Sequence, residues 1–157
     1  MITVGENDTY MLTNATNKYR IEHYATLPDM AREIRVEVFV DEQGFLEEFD
    51  TTDGISTHFL VFDGERAVAT CRVFQAESAG SYTLGRLAVR KEYRGKGLGA
   101  SLLSAAEEYA REVGGTQLAL HAQCAARSFY EKCGFSAYGE IEYEQDCPHT
   151  WMKKPLL

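Results

Sequence analysis

The most informative segment of this chain reads Leu84-Gly85-Arg86-Leu87-Ala88-Val89-Arg90-Lys91-Glu92-Tyr93-Arg94-Gly95-Lys96-Gly97-Leu98-Gly99-Ala100-Ser101-Leu102-Leu103. It consists of an apolar stretch, a short basic loop with glycines at alternate positions, and an amphipathic pattern. This order predicts a strand, a loop and a helix. Gly95, Gly97 and Gly99 lack a Cβ, so their backbone N–H groups can approach a bound group closely. Because a helix N-terminus also favours negative charge, the segment predicts a site for a phosphate or diphosphate.

Two common phosphate-binding loops share part of this pattern, and neither fits. A nucleoside-triphosphate P-loop has Ser or Thr after its lysine, but Gly97 follows Lys96 here. A dinucleotide loop has the spacing Gly-x-Gly-x-x-Gly, whereas this loop has Gly-x-Gly-x-Gly. The stretch 94–100, Arg-Gly-Lys-Gly-Leu-Gly-Ala, instead resembles the pyrophosphate loop of the GNAT N-acetyltransferase superfamily, whose pattern is Arg/Gln-x-x-Gly-x-Gly/Ala. The alternative is an ordinary glycine-rich turn with basic side chains.

A second segment, residues 121–135, resembles the same superfamily independently. The family pattern on the helix after its fifth strand is Asn-x-x-Ala-x-x-Leu-Tyr-Glu-Lys-x-Gly-Phe. This chain matches the pattern at Ala126, Tyr130, Glu131, Lys132, Gly134 and Phe135. Phe129 replaces Leu, and Gln123 takes the Asn position, where it keeps an amide on a longer side chain. Two motifs in the family's order argue against a chance match.

Three further stretches resemble the ElaA-type subgroup of small bacterial acetyltransferases within that superfamily. They are residues 35–44 (Arg-Val-Glu-Val-Phe-Val-Asp-Glu-Gln-Gly), Asp50 to Asp53 with His58, and residues 147–152 (Cys-Pro-His-Thr-Trp-Met). The resemblance as a whole covers roughly residues 19–154. It implies a single α/β (α+β) N-acetyltransferase domain over residues 1–157. The implied GNAT fold has a mixed, mostly antiparallel twisted sheet of about six to seven strands flanked by helices.

Hydrophobic patterns place the strands. Residues 1–17 are polar and show no hydrophobic period, so we expect a loosely held tail. Strands are predicted at Tyr19–Tyr24, His58–Phe62, Arg66–Phe74, Tyr82–Val89, Gln117–His121, Phe135–Tyr138, Ile141–Tyr143 and Thr150–Met152. Asp63-Gly64 predicts a hairpin turn. Gln117–His121 is a candidate parallel neighbour of Tyr82–Val89, and Thr150–Met152 is expected to close the sheet.

Helical spacing predicts three helices. The first begins near a capping box formed by Thr26 and Asp29 and ends at Gly44. The second follows the glycine loop and ends at Gly114-Gly115, and the third runs from Cys124 to Cys133. The second carries its apolar stripe at Leu98, Leu102, Ala105, Ala106, Tyr109 and Val113.

The charge of the chain is negative and unevenly distributed. Its 16 basic and 24 acidic residues give a net charge of −8. Acidic residues concentrate between positions 41 and 53, and again at Glu140, Glu142, Glu144 and Asp146. Such a chain should repel nucleic acid, so we expect no nucleic-acid partner. The two acidic runs could attract a cationic ligand, or they could be solvated faces that maintain solubility.

Export and membrane signals are not evident in the sequence. The longest apolar runs, such as Phe59–Phe62, are far shorter than a membrane span. No basic region followed by an apolar segment opens the sequence, so we expect no secretory signal. Cys71, Cys124, Cys133 and Cys147 show no close metal-ligand pairing, which predicts reduced thiols and no metal. These observations predict a cytoplasmic protein with no membrane partner.

The family resemblance implies roles for particular residues, with acetyl-CoA as co-substrate. The implied coenzyme-binding residues are Leu87, Ala88, Val89, Arg94, Gly95, Lys96, Gly97, Leu98, Gly99, Ala100, Gln123 and Tyr130. Backbone donors at Leu87–Val89 would face the oxyanion that develops during transfer. Tyr130 is the implied catalytic acid, because a phenol with a pKa near 10 is close in acidity to a departing alkyl thiol. The alternative is that Tyr130 only fills the core.

Glu42, His121 and His149 are the candidates for binding the acceptor and taking its proton. Glu42 ends the first helix, His121 ends a strand, and His149 lies just before the last strand. Either histidine could take up a proton near neutral pH. An ordered water could do the same, and a histidine at a strand end is more often structural.

The sequence thus predicts a transferase, an acetyl-CoA-dependent N-acetyltransferase. It would transfer the acetyl group to a primary amine of a small-molecule acceptor, directly, in a ternary complex. Two alternatives stay open: a non-catalytic acyl-CoA-binding module, and a protein or peptide N-acetyltransferase. An exposed last strand in this fold could pair between subunits and give a homodimer.

Overall fold

The computed structural model describes residues 2–3, 8–11, 18–46 and 49–157. Its helices are α1 (Asp29–Arg35), which continues as a π-helical segment (Val36–Glu42), α2 (Leu98–Glu112) and α3 (Arg127–Lys132), with short 3-10 turns at Thr51–Ile55, Lys91–Tyr93 and Cys124–Ala126. Its strands are β1 (Ile2–Thr3), β2 (Asp8–Met11), β3 (Tyr19–Tyr24), β4 (Thr57–Asp63), β5 (Arg66–Gln75), β6 (Ser81–Val89), β7 (Gln117–Gln123), β8 (Ser136–Glu144) and β9 (Cys147–Pro155).

Within these described residues the nine strands form one sheet in the order β1-β2-β3-β4-β5-β6-β7-β9-β8. β6 and β7 are parallel, as predicted. Each of the other neighbouring pairs in this sheet is antiparallel. The mixed, mostly antiparallel sheet is therefore confirmed.

Two expectations about the end of the sheet are wrong. β9 pairs with β7 on one side and with β8 on the other, so the last strand is interior and does not close the sheet or lie exposed. The two strands predicted at Phe135–Tyr138 and Ile141–Tyr143 are a single strand, β8, with an irregularity between Tyr138 and Glu142. Both differences arise because the β8–β9 hairpin folds back, so that its second arm satisfies the backbone groups of β7.

The start of the chain contributes strands that the sequence did not predict. β1 and β2 lie within residues 1–17 and extend the sheet beyond β3. The rest of that stretch lies outside the described residues, and the loosely held tail stays a prediction. In the part of the chain that the structure describes, no helix is long and apolar enough to cross a bilayer.

The first helix begins at Asp29 without the predicted capping box. Pro28 occupies the N-cap position in an extended conformation, and no side chain caps the helix. Thr26 lies too far upstream, and the Pro28 carbonyl instead accepts hydrogen bonds from the N–H groups of Ala31 (3.0 Å) and Arg32 (3.2 Å). The π-helical segment then leads to Gly44, where a φ of +78° reverses the chain as predicted.

Two apolar clusters cover the two faces of the sheet. α1 buries Ala31 and Ile34, and the π-helical segment buries Val38, in the cluster that also contains Leu60 and Phe62. α2 and Tyr130 of α3 belong to the larger cluster, which contains Phe59 and Val61. Because Phe59–Phe62 alternate between the clusters, the helices lie on opposite faces. Leu98, Leu102, Ala105 and Ala106 are buried as predicted, whereas Val113 is 46% exposed where α2 ends.

Candidate active site

The pocket lies where the two parallel strands stop pairing. β6 and β7 pair from Ser81–Gln117 to Leu84–Leu120. Beyond this last pair, residues 85–89 of β6 and 121–123 of β7 line a single pocket of about 780 Å³. This volume is typical of a small-molecule site.

A β-bulge shapes the β6 wall of the pocket. The register against β5 shifts, because Arg72 pairs with Gly85 whereas Thr70 pairs with Ala88. Two residues of β6 therefore face one residue of β5, and Arg86 adopts a φ of +53°. The bulge lies next to Leu87, Ala88 and Val89, which line the pocket.

The glycine loop has the conformation that an anion site needs. Gly95 and Gly97 adopt φ values of +77° and +78°, and a Cβ at either position would meet nothing within 4 Å. Left-handed backbone, rather than crowding, is thus the reason for glycine at these two positions. At Gly99 a Cβ would lie 3.2 Å from the Phe129 ring, so here glycine allows close packing. With the α2 N-terminus behind it, the open cradle fits the diphosphate of a coenzyme.

Most of the predicted coenzyme-side residues line the pocket. They are Leu87, Ala88, Val89, Arg94, Gly95, Gly97, Leu98, Gly99, Ala100, Gln123 and Tyr130. Lys96 lies on the same loop but is not part of the pocket wall. Gln123 donates to Gln43 Oε1 at 2.8 Å, so the end of β7 is joined to the residue that follows the π-helical segment.

Glu42 lies beside the glycine loop rather than in the pocket wall. Its two carboxylate oxygens accept hydrogen bonds from the Arg94 guanidinium at 2.9 and 3.0 Å. Arg94 Nε donates to the Val89 carbonyl at 2.9 Å. Such a bidentate pair fixes geometry as well as charge. Glu42 therefore ties the π-helical segment to the loop.

Tyr130 is held as a neutral phenol inside the pocket. Its side chain is 8% exposed, and its ring packs edge-on against Phe129 and Phe135. Burial raises the pKa of Tyr130 well above its ordinary value, and the neighbouring thiols of Cys71 and Cys133 raise it further. The hydroxyl therefore keeps its proton at physiological pH, and it is a weaker acid here than the ordinary phenol with a pKa near 10 on which the sequence argument relied.

His121 and His149 lie together on the wall of the pocket that β7 and β9 form. Their ring centroids are 4.9 Å apart, and His121 stacks on Trp151 at 4.7 Å. Glu144 Oε2 lies 3.0 Å from His149 Nε2 and 3.2 Å from His121 Nδ1. Both histidines, Trp151 and Glu144 line the pocket. Among the described residues, no group of three or more His, Cys, Asp or Glu side chains is placed to hold a metal ion.

A buried ion-pair network supports the bulge, and the sequence did not predict it. The Arg35 side chain is only 1% exposed and donates to both carboxylate oxygens of Asp53. Arg72 contacts Asp53 and Asp50, and Asp50 also accepts from Arg86 at 3.3 Å. Burial alone would raise the pKa of Asp53, but hydrogen bonds from Arg35 and Arg72 outweigh it and hold that pKa well below its usual range.

This network bears on whether the first acidic run, residues 41–53, attracts a cationic ligand or is a solvated face. Asp53 is buried and paired with internal arginines, and Asp50, which is exposed, is paired with Arg72, so neither carboxylate is an empty cation site. Glu47 and Glu48 of the same run lie outside the described residues. The signal in the sequence was Arg72, a charged residue in a mostly apolar strand, on the face opposite to Cys71 and Val73.

Comparisons with known proteins agree with this geometry. Residues 26–156 match the family model described as an acetyltransferase (GNAT) domain. The uncharacterized N-acetyltransferase YjcF of Bacillus subtilis strain 168 is 36% identical over 124 residues, which are 77% of this chain and 87% of YjcF. A Lactobacillus plantarum protein named as an N-acetyltransferase has a TM-score of 0.82 at 32% identity, covering 90% of this chain and 100% of that one. Escherichia coli ElaA has a TM-score of 0.75 at 27% identity, covering 87% of this chain and 97% of ElaA.

Proposed function

Because the chain belongs to the GNAT acetyltransferase family, we propose that it acetylates the primary amine of a small-molecule acceptor with acetyl-CoA, by direct transfer in a ternary complex. One observation carries the proposal: the glycine loop, the bulged strand and Tyr130 line the same pocket as two histidines and a carboxylate. A coenzyme arm and an acceptor can thus meet in one cavity.

The coenzyme side is formed by the glycine loop and the bulge. We propose that the loop residues Arg94 to Ala100 hold the diphosphate, with N–H groups of the loop and of the first turn of α2 as donors. Gln123 would contact the coenzyme arm from β7. When bound, acetyl-CoA supplies a thioester that an amine can attack. Leu87, Ala88 and Val89 would place backbone N–H groups where negative charge develops on the thioester oxygen.

Tyr130 is proposed as the acid of the reaction. The amine nitrogen forms a bond to the acetyl carbon, the carbon–sulfur bond breaks, and the departing thiolate takes the hydroxyl proton of Tyr130. The nitrogen gives up one proton as the amide forms, and that proton restores the Tyr130 hydroxyl. Burial keeps the Tyr130 phenol protonated, so its proton is in place when the thiolate forms.

His121 and His149 are proposed to form the acceptor end of the pocket. They lie opposite the bulge, stacked in part on Trp151, so an amine between the walls would face the acetyl group. Glu42 was a third candidate. Its carboxylate is taken by Arg94, so we propose that it acts on the coenzyme side by positioning the loop.

The proposal is tested by binding and turnover together. Calorimetry should detect acetyl-CoA binding, and a thiol-release assay over a panel of primary amines should detect turnover. Binding without release on any amine or peptide would support the non-catalytic module instead. Release on peptides, with none on free amines, would support a protein or peptide N-acetyltransferase. Absence of acetyl-CoA binding by the folded protein would overturn the proposal.

A further inference from the structure

Glu144 is the acidic residue of the second run that reaches the pocket. It ends β8, directly before a turn in which Gln145 and Asp146 adopt φ values of +48° and +66°. Of the four acidic residues of the run, Glu144 alone belongs to the pocket wall. Its side chain is half exposed, while one carboxylate oxygen contacts both histidines.

The contacts of His149 place one of its ring nitrogens where it can share a proton with Glu144. His149 Nδ1 lies 2.9 Å from the Cys147 carbonyl oxygen. A carbonyl can only accept, so Nδ1 carries a hydrogen. A neutral imidazole then has only a lone pair on Nε2. Nε2 lies 3.0 Å from a carboxylate oxygen, which also only accepts when ionised, so a proton that the pair takes up has a place between the two atoms. The Glu144–His149 pair is therefore built to hold one exchangeable proton.

His121 continues the chain of proton-holding groups towards the surface. Its Nδ1 lies 3.2 Å from Glu144 Oε2, and its Nε2 lies 3.2 Å from Glu142 Oε1. His121 Nε2 is buried and has no aligned hydrogen bond to any of the described residues. The Glu142 side chain is 59% exposed. His121 thus lies within 3.2 Å of Glu144, which lines the pocket, and of Glu142, which is exposed to solvent.

We infer that Glu144 is a further catalytic residue, which binds the acceptor's ammonium group and accepts its proton, with His149 and His121 taking that proton up. The inference rests on the proposed amine acetylation. The ammonium N–H bond breaks, the proton passes to the carboxylate or the imidazole behind it, and the freed lone pair attacks the acetyl carbon. Each turnover therefore leaves one proton on this cluster, and Glu142 is the exposed exit.

The charged and titratable groups around Glu144 come from β7, β8 and β9. The groups facing it are His121 from β7, His149 and Cys147 from β9, and Glu142 from its own strand. Asp50, another carboxylate of the pocket wall, is paired with both Arg72 and Arg86. Glu42, the other carboxylate that the sequence suggested for binding the acceptor, is paired with Arg94.

The test compares Glu144→Gln with Glu140→Gln, which makes the same change at an exposed position of the same strand outside the pocket. Thiol release is followed with primary alkylamines, which are protonated near neutral pH, and with hydroxylamine, which is largely unprotonated there. We expect E144Q to lower kcat/KM for the alkylamines about 100-fold or more, as for loss of a general base. We expect a clearly smaller loss with hydroxylamine, a flatter pH dependence of kcat/KM on the acidic side, and an unchanged Kd for acetyl-CoA.

Two outcomes separate the possible failures. If E144Q retains the kcat/KM of E140Q on alkylamines, or loses alkylamine and hydroxylamine activity equally, the role of Glu144 is overturned. If the wild-type protein binds acetyl-CoA and acetylates no amine, the proposed function itself has failed. Should E144Q not bind acetyl-CoA because it does not fold, Glu144→Asp replaces it, and a pH profile identical to that of the wild type then counts against the inference.

Discussion

Tyr130 is the residue whose environment defines its chemistry most clearly. The ring packs between two phenylalanines, and burial keeps the hydroxyl protonated. Replacing it by phenylalanine removes one oxygen and leaves the aromatic contacts in place. A change in rate can then be assigned to the hydroxyl rather than to the core.

We expect Tyr130→Phe to lower kcat about 100-fold, because the departing thiolate loses its proton donor. The Kd of acetyl-CoA and the melting temperature should stay close to those of the wild type. Tyr138→Phe, on the exposed side of β8, serves as the matched control. Because burial raises the pKa of Tyr130 above the ordinary value near 10, wild-type kcat should show no titration of this group below about pH 10. Unchanged kcat in Y130F would leave Tyr130 as a core residue only.

At the scale of the element, the glycine loop offers a comparison within the same chain. Gly97 and Gly64 both have left-handed backbone, with φ values of +78° and +61°, and a Cβ at either would meet nothing within 4 Å. Gly97 begins α2 at the pocket, whereas Gly64 lies in the hairpin between β4 and β5. Both positions need a positive φ, but only Gly97 lies at the pocket.

We expect Gly97→Ala and Gly64→Ala to lose similar stability, about 1–2 kcal/mol each, since both place a Cβ in the left-handed region. Only G97A should also weaken acetyl-CoA binding, about 10-fold, because a shift of its φ re-aims the N–H groups that we propose hold the diphosphate. Urea unfolding and calorimetry measure the two quantities. Equal acetyl-CoA affinities in G97A and G64A would show that the glycine loop does not bind the coenzyme.

Elements with local signals were predictable, and elements that depend on distant partners were not. The hairpin at Asp63-Gly64, the α2 stripe and the parallel β6–β7 pair follow from turn chemistry and periodicity, and all three are present. The insertion of β9 between β7 and β8 has no local signal, because pairing partners far apart in sequence decide it. Similarly, the pairing of Asp53 with Arg35 and the position of Glu144 in the pocket became visible only when the chain was folded.

At the scale of the whole molecule, the buried ion-pair network joins α1, β5 and the bulge of β6 near the pocket. Asp53 connects α1 through Arg35 to β5 through Arg72, and Asp50 connects β5 to the bulge in β6. Breaking such a network leaves an uncompensated charge in the interior. Its loss should therefore affect the stability of the domain and the shape of the pocket together.

We expect Asp53→Asn to lower the free energy of unfolding at pH 7 by about 3 kcal/mol, because Arg35 stays buried without its carboxylate partner. The folded-state pKa of Asp53 is lowered, so its contribution is present at pH values above the unfolded value near 3.9 and is lost as the pH falls below it. Urea unfolding at pH 7, 4 and 3 should show a steeper loss for the wild type than for D53N. Asp41→Asn, at an exposed position, is the control. Parallel stability curves for wild type and D53N would contradict the role of the network.

The interior place of β9 has a consequence for how the chain reaches its native state. During synthesis β8 emerges before β9, yet β8 reaches the sheet only through the strand that follows it. Until that strand is available, the open side of β7 stays unpaired, with its N–H and C=O groups ready to join any other extended chain. The pocket wall that carries both histidines is therefore among the last parts of the protein to form, and assembly of this wall falls after, not during, translation of the preceding strands.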